Sequence, residues 1–182
     1  MRKRLRGAYS DEDLKIVYST PHVHSGWVDH RQRVRSTIAL AGWFENVRSI
    51  ADLSCGDGAI IDALNVPTKY KGDFAPKYDI HGAMEETLLQ IPHVDLLIMS
   101  ETIEHLDDPD LVLRMAREKA KYLILSTPNG EDNDGNPQHY WGWDDKDIRA
   151  MLIEAGWLPV IYSSLEFADA NLIYDYQLWG CA

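Results

Sequence analysis

The sequence predicts an α/β architecture: a mostly parallel sheet with helices on both faces, finished by a C-terminal antiparallel strand pair. Three observations carry that expectation. Segments of strand character alternate with segments of helical periodicity. Two segments, His93–Met99 and Tyr122–Ser126, are strongly apolar, as central parallel strands buried on both faces must be. A third, Ser49–Leu53, runs into the glycine-punctuated turn Ser54-Cys55-Gly56-Asp57-Gly58 and then into a helix.

In chain order, residues 1–23 read as a flexible lead or lid, with a short helical turn near Asp13–Ile16. His24 and Trp27 follow in a loop rich in turn formers. Asp29–Phe44 reads as a helix whose apolar face is Val34, Ile38, Leu40 and Ala41, with Arg31, Arg33 and Arg35 on its early turns. After the first strand and its glycine turn, Ala59–Leu64 is a helix that Pro67 ends. Tyr70–Phe74 is the second strand, Tyr78–His81 a short third, and Met84–Leu89 a helical turn. Only 19 residues separate Asp73 from His93. Asp108–Ala120 and Asp144–Glu154 are helices, the latter capped by Asp144 or Asp145 and closed by Gly156. Leu158–Ser163 and Asp175–Gly180 form the antiparallel edge.

The chain has 182 residues, which is one compact domain, and no apolar run approaches the ~20 residues of a membrane span. No signal-peptide core follows the basic start, so a cytoplasmic protein is expected. Two cysteines, Cys55 and Cys181, make neither a disulfide framework nor a cysteine zinc site. A net charge of −11 disfavours broad binding to nucleic acid. The segment Asp132-Asn133-Asp134-Gly135-Asn136 fails as a calcium loop, because Pro137 and Trp143 stand where glycine and glutamate are needed.

In parallel sheets ligands bind beyond the carboxyl ends of the strands. That rim collects the glycine turn, Asp73, Ser100–His105 and the loop Thr127–Tyr140. The turn lacks the lysine of a phosphate loop, and Ile61 stands where a dinucleotide loop needs its third glycine. Glu101, Glu104 and His105 form E-x-x-E-H. In a helical turn they share one face, able to hold a divalent ion or to deprotonate a hydroxyl. Trp141 and Trp143 either stack on a planar substrate or pack at a helix cap.

Asp52-Leu53-Ser54-Cys55-Gly56-Asp57-Gly58 resembles the D-L-G-C-G-x-G loop of class I S-adenosylmethionine-dependent methyltransferases, with Ser54 in place of the first glycine. Gly72-Asp73-Phe74, the block Val94–Pro109, Leu123–Asn129 and Ile153-Glu154-Ala155-Gly156-Trp157 resemble further segments of that family in the same order, over about residues 24–182. The resemblance implies a Rossmann-like fold with S-adenosylmethionine as cofactor, and a second helix shortened or lost, since the family fits a helix, a third strand and a loop where only 19 residues separate Asp73 from His93. It implies a cofactor site of Asp52, Ser54, Cys55, Gly56, Asp57, Gly58, Asp73, Phe74 and Ser100, with Ala83 and Met84 on the adenine side. Asp73 would accept from the ribose hydroxyls, Cys55 would serve as a small packing residue, and Arg31 would either meet the cofactor carboxylate or remain solvated. The expected reaction is O-methylation of a small-molecule hydroxyl, with His105 or His139 as base beside Glu101 or Glu104. Glu101, Glu104, His105 and His139 together are also similar to the metal-binding quartet of small-RNA 3′-terminal 2′-O-methyltransferases. That likeness makes a divalent metal and an RNA acceptor the alternative. A non-catalytic methyltransferase-like binding module is the other alternative, and the oligomeric state is left open.

Overall fold

The computed structural model describes residues 1–23, 26–130, 135–166 and 175–182. His24 of the expected lid and Asp132–Asp134 of the polar loop lie outside these residues. The described elements are β1 (Lys3–Arg4), α1 (Asp11–Val17), α2 (Val28–Ala41), β2 (Ser49–Asp52), α3 (Ala59–Ala63), β3 (Thr68–Asp73), β4 (Ile80–His81), α4 (Met84–Gln90), β5 (Val94–Ser100), α5 (Pro109–Lys119), β6 (Ala120–Pro128), β7 (Trp141–Gly142), α6 (Asp145–Glu154), β8 (Pro159–Leu165) and β9 (Tyr176–Cys181). The main sheet has the order β4-β3-β2-β5-β6-β9-β8. Pairings from β4 to β6 are parallel, whereas β9 runs antiparallel to both β6 and β8. The expected α/β fold and its C-terminal antiparallel pair are therefore present.

Alternation along the central strands builds two cores. Ala51, Leu97, Met99, Leu123 and Leu125 face α4, α5 and α6, meeting Leu88, Val112, Leu113, Ile148 and Leu152. Ile50, Leu96, Ile98 and Ile124 face the other way, toward Leu40 and Ala41 of α2 and Ile60 and Ile61 of α3. Helices thus cover both faces, and the chemistry is left to the strand ends. The shortened connection also appears: residues 74–79 join β3 to parallel β4 without a helix.

Two expectations change. The lead at residues 1–23 carries regular structure: β1 pairs antiparallel with β7, and Ser10 caps α1 by accepting from Asp13 N. Arg2 bonds Asp110 at 2.6 Å, Arg4 bonds Asp107, and Leu5 N donates to Tyr140 O at 2.8 Å. A basic stretch reads as solvated in isolation, but here acidic partners and the faces of Tyr140 and Trp141 receive it. The second change concerns α2. Asp29, Arg33 and Thr37 are buried at four-residue spacing beside Leu40 and Ala41, so the helix turns a polar stripe inward.

Candidate active site

Beyond the carboxyl ends of β2, β3 and β5 lies a cavity of about 420 Å³. One half is lined by Leu53, Ser54, Gly56, Asp73, Phe74, Gly82, Ala83, Met84 and Glu85. The other is lined by Glu101, Thr102, His105, Leu106, Asp107, Asn136, Gln138, His139 and Tyr140. Ala8, Tyr9, Asp11, Leu14 and Tyr18, from the N-terminal segment and α1, complete the wall with His22 and His30.

The glycine turn takes its shape from two left-handed residues, Gly56 (φ 55) and Gly58 (φ 89). A side chain at Gly58 would meet the Asp62 carboxylate at 2.8 Å. Asp73 locks the turn to β3: its Oδ2 accepts from Gly56 N at 2.7 Å and its Oδ1 from Ala75 N at 3.0 Å. Ser54, the departure from the family pattern, lies 2.6 Å by its Oγ from Thr102 Oγ1. That hydroxyl pair ties the β2 loop to the segment after β5, a link glycine would not make.

Several expected cofactor residues sit behind this wall. Asp57 accepts from Ala59 N at 3.1 Å. Cys55 is buried, and burial pushes its thiol up to about 12, consistent with a packing role. Ser100 Oγ lies 2.7 Å from Ser126 Oγ and accepts from Arg33. Arg31 is exposed and is not among the cavity-lining residues; Arg33, one turn-face away, is the arginine turned inward. Neither tryptophan lines the cavity: Trp143 is buried in the core, and Trp141 lies under Arg2.

Asp52 is buried beneath the loop and accepts from Ser54 N at 3.3 Å. Desolvation lifts its carboxyl to about 7. Unfolded, the group titrates near 4. Between those values the folded chain holds the extra proton, so this contribution to stability is complete below about pH 4 and lost as pH rises through about 7. Asp52→Asn removes the penalty, on the order of 4 kcal/mol at most. In urea titrations the variant is expected to be more stable than the parent at pH 8 and equal to it near pH 4.

The segment after β5 holds the titratable cluster. Glu101 has left-handed backbone (φ 57), an uncommon conformation that costs about 1 kcal/mol or more outside glycine. A 3₁₀ turn, Ile103–His105, follows. Glu101 and Glu104 therefore do not share one helical face. Glu101 Oε1 lies 3.9 Å from Arg33 Nε, whereas Glu104 is buried behind His105. Glu104 Oε2 accepts from Thr127 Oγ1 at 3.1 Å, and Thr127 Oγ1 from Trp143 Nε1 at 3.1 Å. Glu104 Oε1 has no hydrogen-bond partner among the described residues and lies 3.8 Å from His105 Nε2. Burial, then the charge of Glu101, pushes Glu104 well above the usual carboxyl range. His105 Nδ1 donates to Gln138 O at 2.9 Å, which leaves Nε2 as the basic nitrogen; Tyr18 OH lies 3.2 Å from the same Nδ1. The His139 ring stands edge-on to His105, centroids 4.7 Å apart, and its Nε2 lies 3.0 Å from Asn136 Nδ2. One ligand atom each from Glu104, His105 and His139 lies within 4.8 Å of the others; Glu101 is outside this group.

Sequence reasoning missed Thr102, Gln138, Asn136 and Tyr18. Thr102, Gln138 and Tyr18 act through hydrogen bonds between distant segments, for which no local pattern exists, whereas Asn136 bonds its neighbours Gln138 and His139.

The architecture is the one seen in solved S-adenosylmethionine-dependent methyltransferases. The chain is similar in structure to the N-methyltransferase NodS from Bradyrhizobium japonicum in complex with S-adenosylhomocysteine (TM-score 0.70, 15% identity, 93% of this chain and 96% of that one). It is likewise similar to magnesium protoporphyrin IX methyltransferase from Synechocystis with bound S-adenosylhomocysteine (0.65, 17%, 93% and 93%). A third is the Burkholderia thailandensis 1,6-didemethyltoxoflavin-N1-methyltransferase with its substrate and S-adenosylhomocysteine bound (0.69, 14%, 99% and 93%). At these identities the likeness shows the fold. No protein-family model and no curated protein matches the sequence. Among the described residues no helix is long and apolar enough to cross a membrane.

Proposed function

We propose that this chain is an S-adenosylmethionine-dependent methyltransferase that methylates the hydroxyl of a small molecule, residues 1–182 acting as one unit with 1–23 as its lid. One observation carries the reading: a cavity joins the glycine loop and Asp73 to His105 and His139. The loop half fits the cofactor. Gly56 brings bare backbone to the wall, Asp73 retains acceptor capacity beyond its two backbone bonds, and Ala83–Met84 lie beside them. When bound, S-adenosylmethionine supplies a methyl group already activated on a sulfonium. The protein's task is then to align the acceptor oxygen and take its proton. His105 Nε2, whose ring is oriented by Gln138 O, is the base, with Glu104 Oε1 3.8 Å away.

A second reading is favoured by the orphaned Glu104 Oε1. Glu104, His105 and His139 form a donor set that suits a divalent ion, which would act as a Lewis acid on the acceptor hydroxyl, as in a metal-dependent RNA 2′-O-methyltransferase. Arg33 occupies Glu101, the fourth ligand that the sequence suggested.

Calorimetric titration with S-adenosylmethionine and S-adenosylhomocysteine is expected to show binding of both. A transfer assay on pooled hydroxyl compounds is expected to show turnover that survives chelation. Absence of binding sinks the proposal, and binding without transfer to small molecules or RNA leaves a binding module. Turnover lost to EDTA supports the metal reading if Mn²⁺ also titrates into the protein but not into its Glu104→Gln variant.

A further inference from the structure

We propose, resting on the methyltransferase reading, that the acceptor is a small planar phenol carrying no anionic group. The first support is the shape and chemistry of the wall. Tyr18 packs on Phe74 with centroids 5.6 Å apart, and Tyr9 stands edge-on to Tyr140 at 6.1 Å. All four rings line the cavity, and rings arranged this way favour a flat aromatic ligand. Tyr9 N also donates to Tyr140 OH at 3.0 Å, so the N-terminal segment holds this wall in place. The volume is the second support. About 420 Å³ must hold cofactor and acceptor together, and small-molecule sites begin at roughly 300 Å³.

Charge is the third. Among the described lining residues Asp11, Asp73, Glu85, Glu101 and Asp107 bring carboxylates, and none is Lys or Arg. Arg33 lies against Glu101 from behind and Arg4 pairs with Asp107. Asp11 and Glu85 face the space without such a cation in the wall. Burial, then Arg33, pushes the His30 imidazole down to about 4, so it adds no positive charge at neutral pH. An acceptor whose carboxylate or phosphate lies beside Asp11 meets like charge at short range, where repulsion is worth about 1–4 kcal/mol.

Three acceptors with the same reacting group and different charge test this: 4-ethylphenol (neutral), tyramine (cationic) and 4-hydroxyphenylacetate (anionic). Methyl transfer is followed with saturating S-adenosylmethionine, and binding to the S-adenosylhomocysteine complex is measured by calorimetry. Transfer to 4-hydroxyphenylacetate should have a kcat/KM about tenfold or more below that for 4-ethylphenol. Tyramine should equal or exceed 4-ethylphenol, and Asp11→Asn should narrow the gap. An anionic acceptor as good as the neutral one overturns the inference. So does failure of all three to bind or react while the cofactor binds, and the methyltransferase reading then survives. Absence of cofactor binding overturns that reading itself and the inference with it.

Discussion

Replacing His105 and His139 together by alanine is expected to lower methyl transfer by about 10²–10⁴, the range set by removing a general base. The affinity for S-adenosylhomocysteine should stay within about threefold, or under 1 kcal/mol. The two effects separate because different elements build the two halves of the cavity. The loop half comes from β2, β3 and the start of α4, whereas His105 sits on the 3₁₀ turn after β5 and His139 on the loop before β7. Of the single variants, His105→Ala should cost more. Its Nδ1 is committed to Gln138 O and its Nε2 lies beside Glu104, while His139 meets Asn136. Turnover within a fewfold of the parent in the double variant would remove both residues from the mechanism. Loss of cofactor affinity in step with turnover would mean that the histidines support the fold of the site rather than its chemistry.

The contrast between the two halves also explains what could be read from the chain. The loop half is local: Asp52–Gly58 is one contiguous turn, and Asp73 ends the next strand, so residue types and spacing reveal it. Alternation of apolar runs likewise placed the parallel strands, because burial on both faces leaves few polar residues in β5 and β6. The other half is assembled from distant pieces. His105 is oriented by Gln138, 33 residues on, and Ser54 is explained only by Thr102, 48 residues on. The E-x-x-E-H spacing suggested a shared face, but the left-handed backbone at Glu101 divides the two carboxylates. Arg33 was hidden for a different reason. Periodicity assigns charged residues to solvent, so a helix that buries Asp29, Arg33 and Thr37 presents its core face as if it were a surface.

That buried arginine carries the largest expected effect on stability. Arg33 is fully buried and donates to Ser100 Oγ, lies 3.3 Å from His30 Nδ1, and stands 5.7 Å over the Tyr176 ring. Tyr176 OH in turn donates to Asp29 Oδ2 at 3.2 Å. Arg33→Met keeps much of the volume but removes the cation from beside Glu101. Leaving a buried charge without its partner costs about 3–5 kcal/mol, a large part of the roughly 5–15 kcal/mol that holds a domain folded. The loss should depend on pH in a defined direction. Burial raises the Glu101 carboxyl despite Arg33, and without Arg33 it rises further. A carboxyl raised in the folded state loses stability as pH climbs from its unfolded value through its folded one. The variant's deficit should therefore be smaller at pH 5 than at pH 8, because acid favours the neutral carboxyl that needs no cation beside it. Urea titrations of parent and variant at both pH values measure it. A deficit under 1 kcal/mol at pH 8, or one that shrinks as pH rises, would mean that Arg33 packs the helix without holding the Glu101 charge. A pH-dependent deficit of the expected sign would mean that α2 sets the electrostatics of the cavity floor from behind the wall.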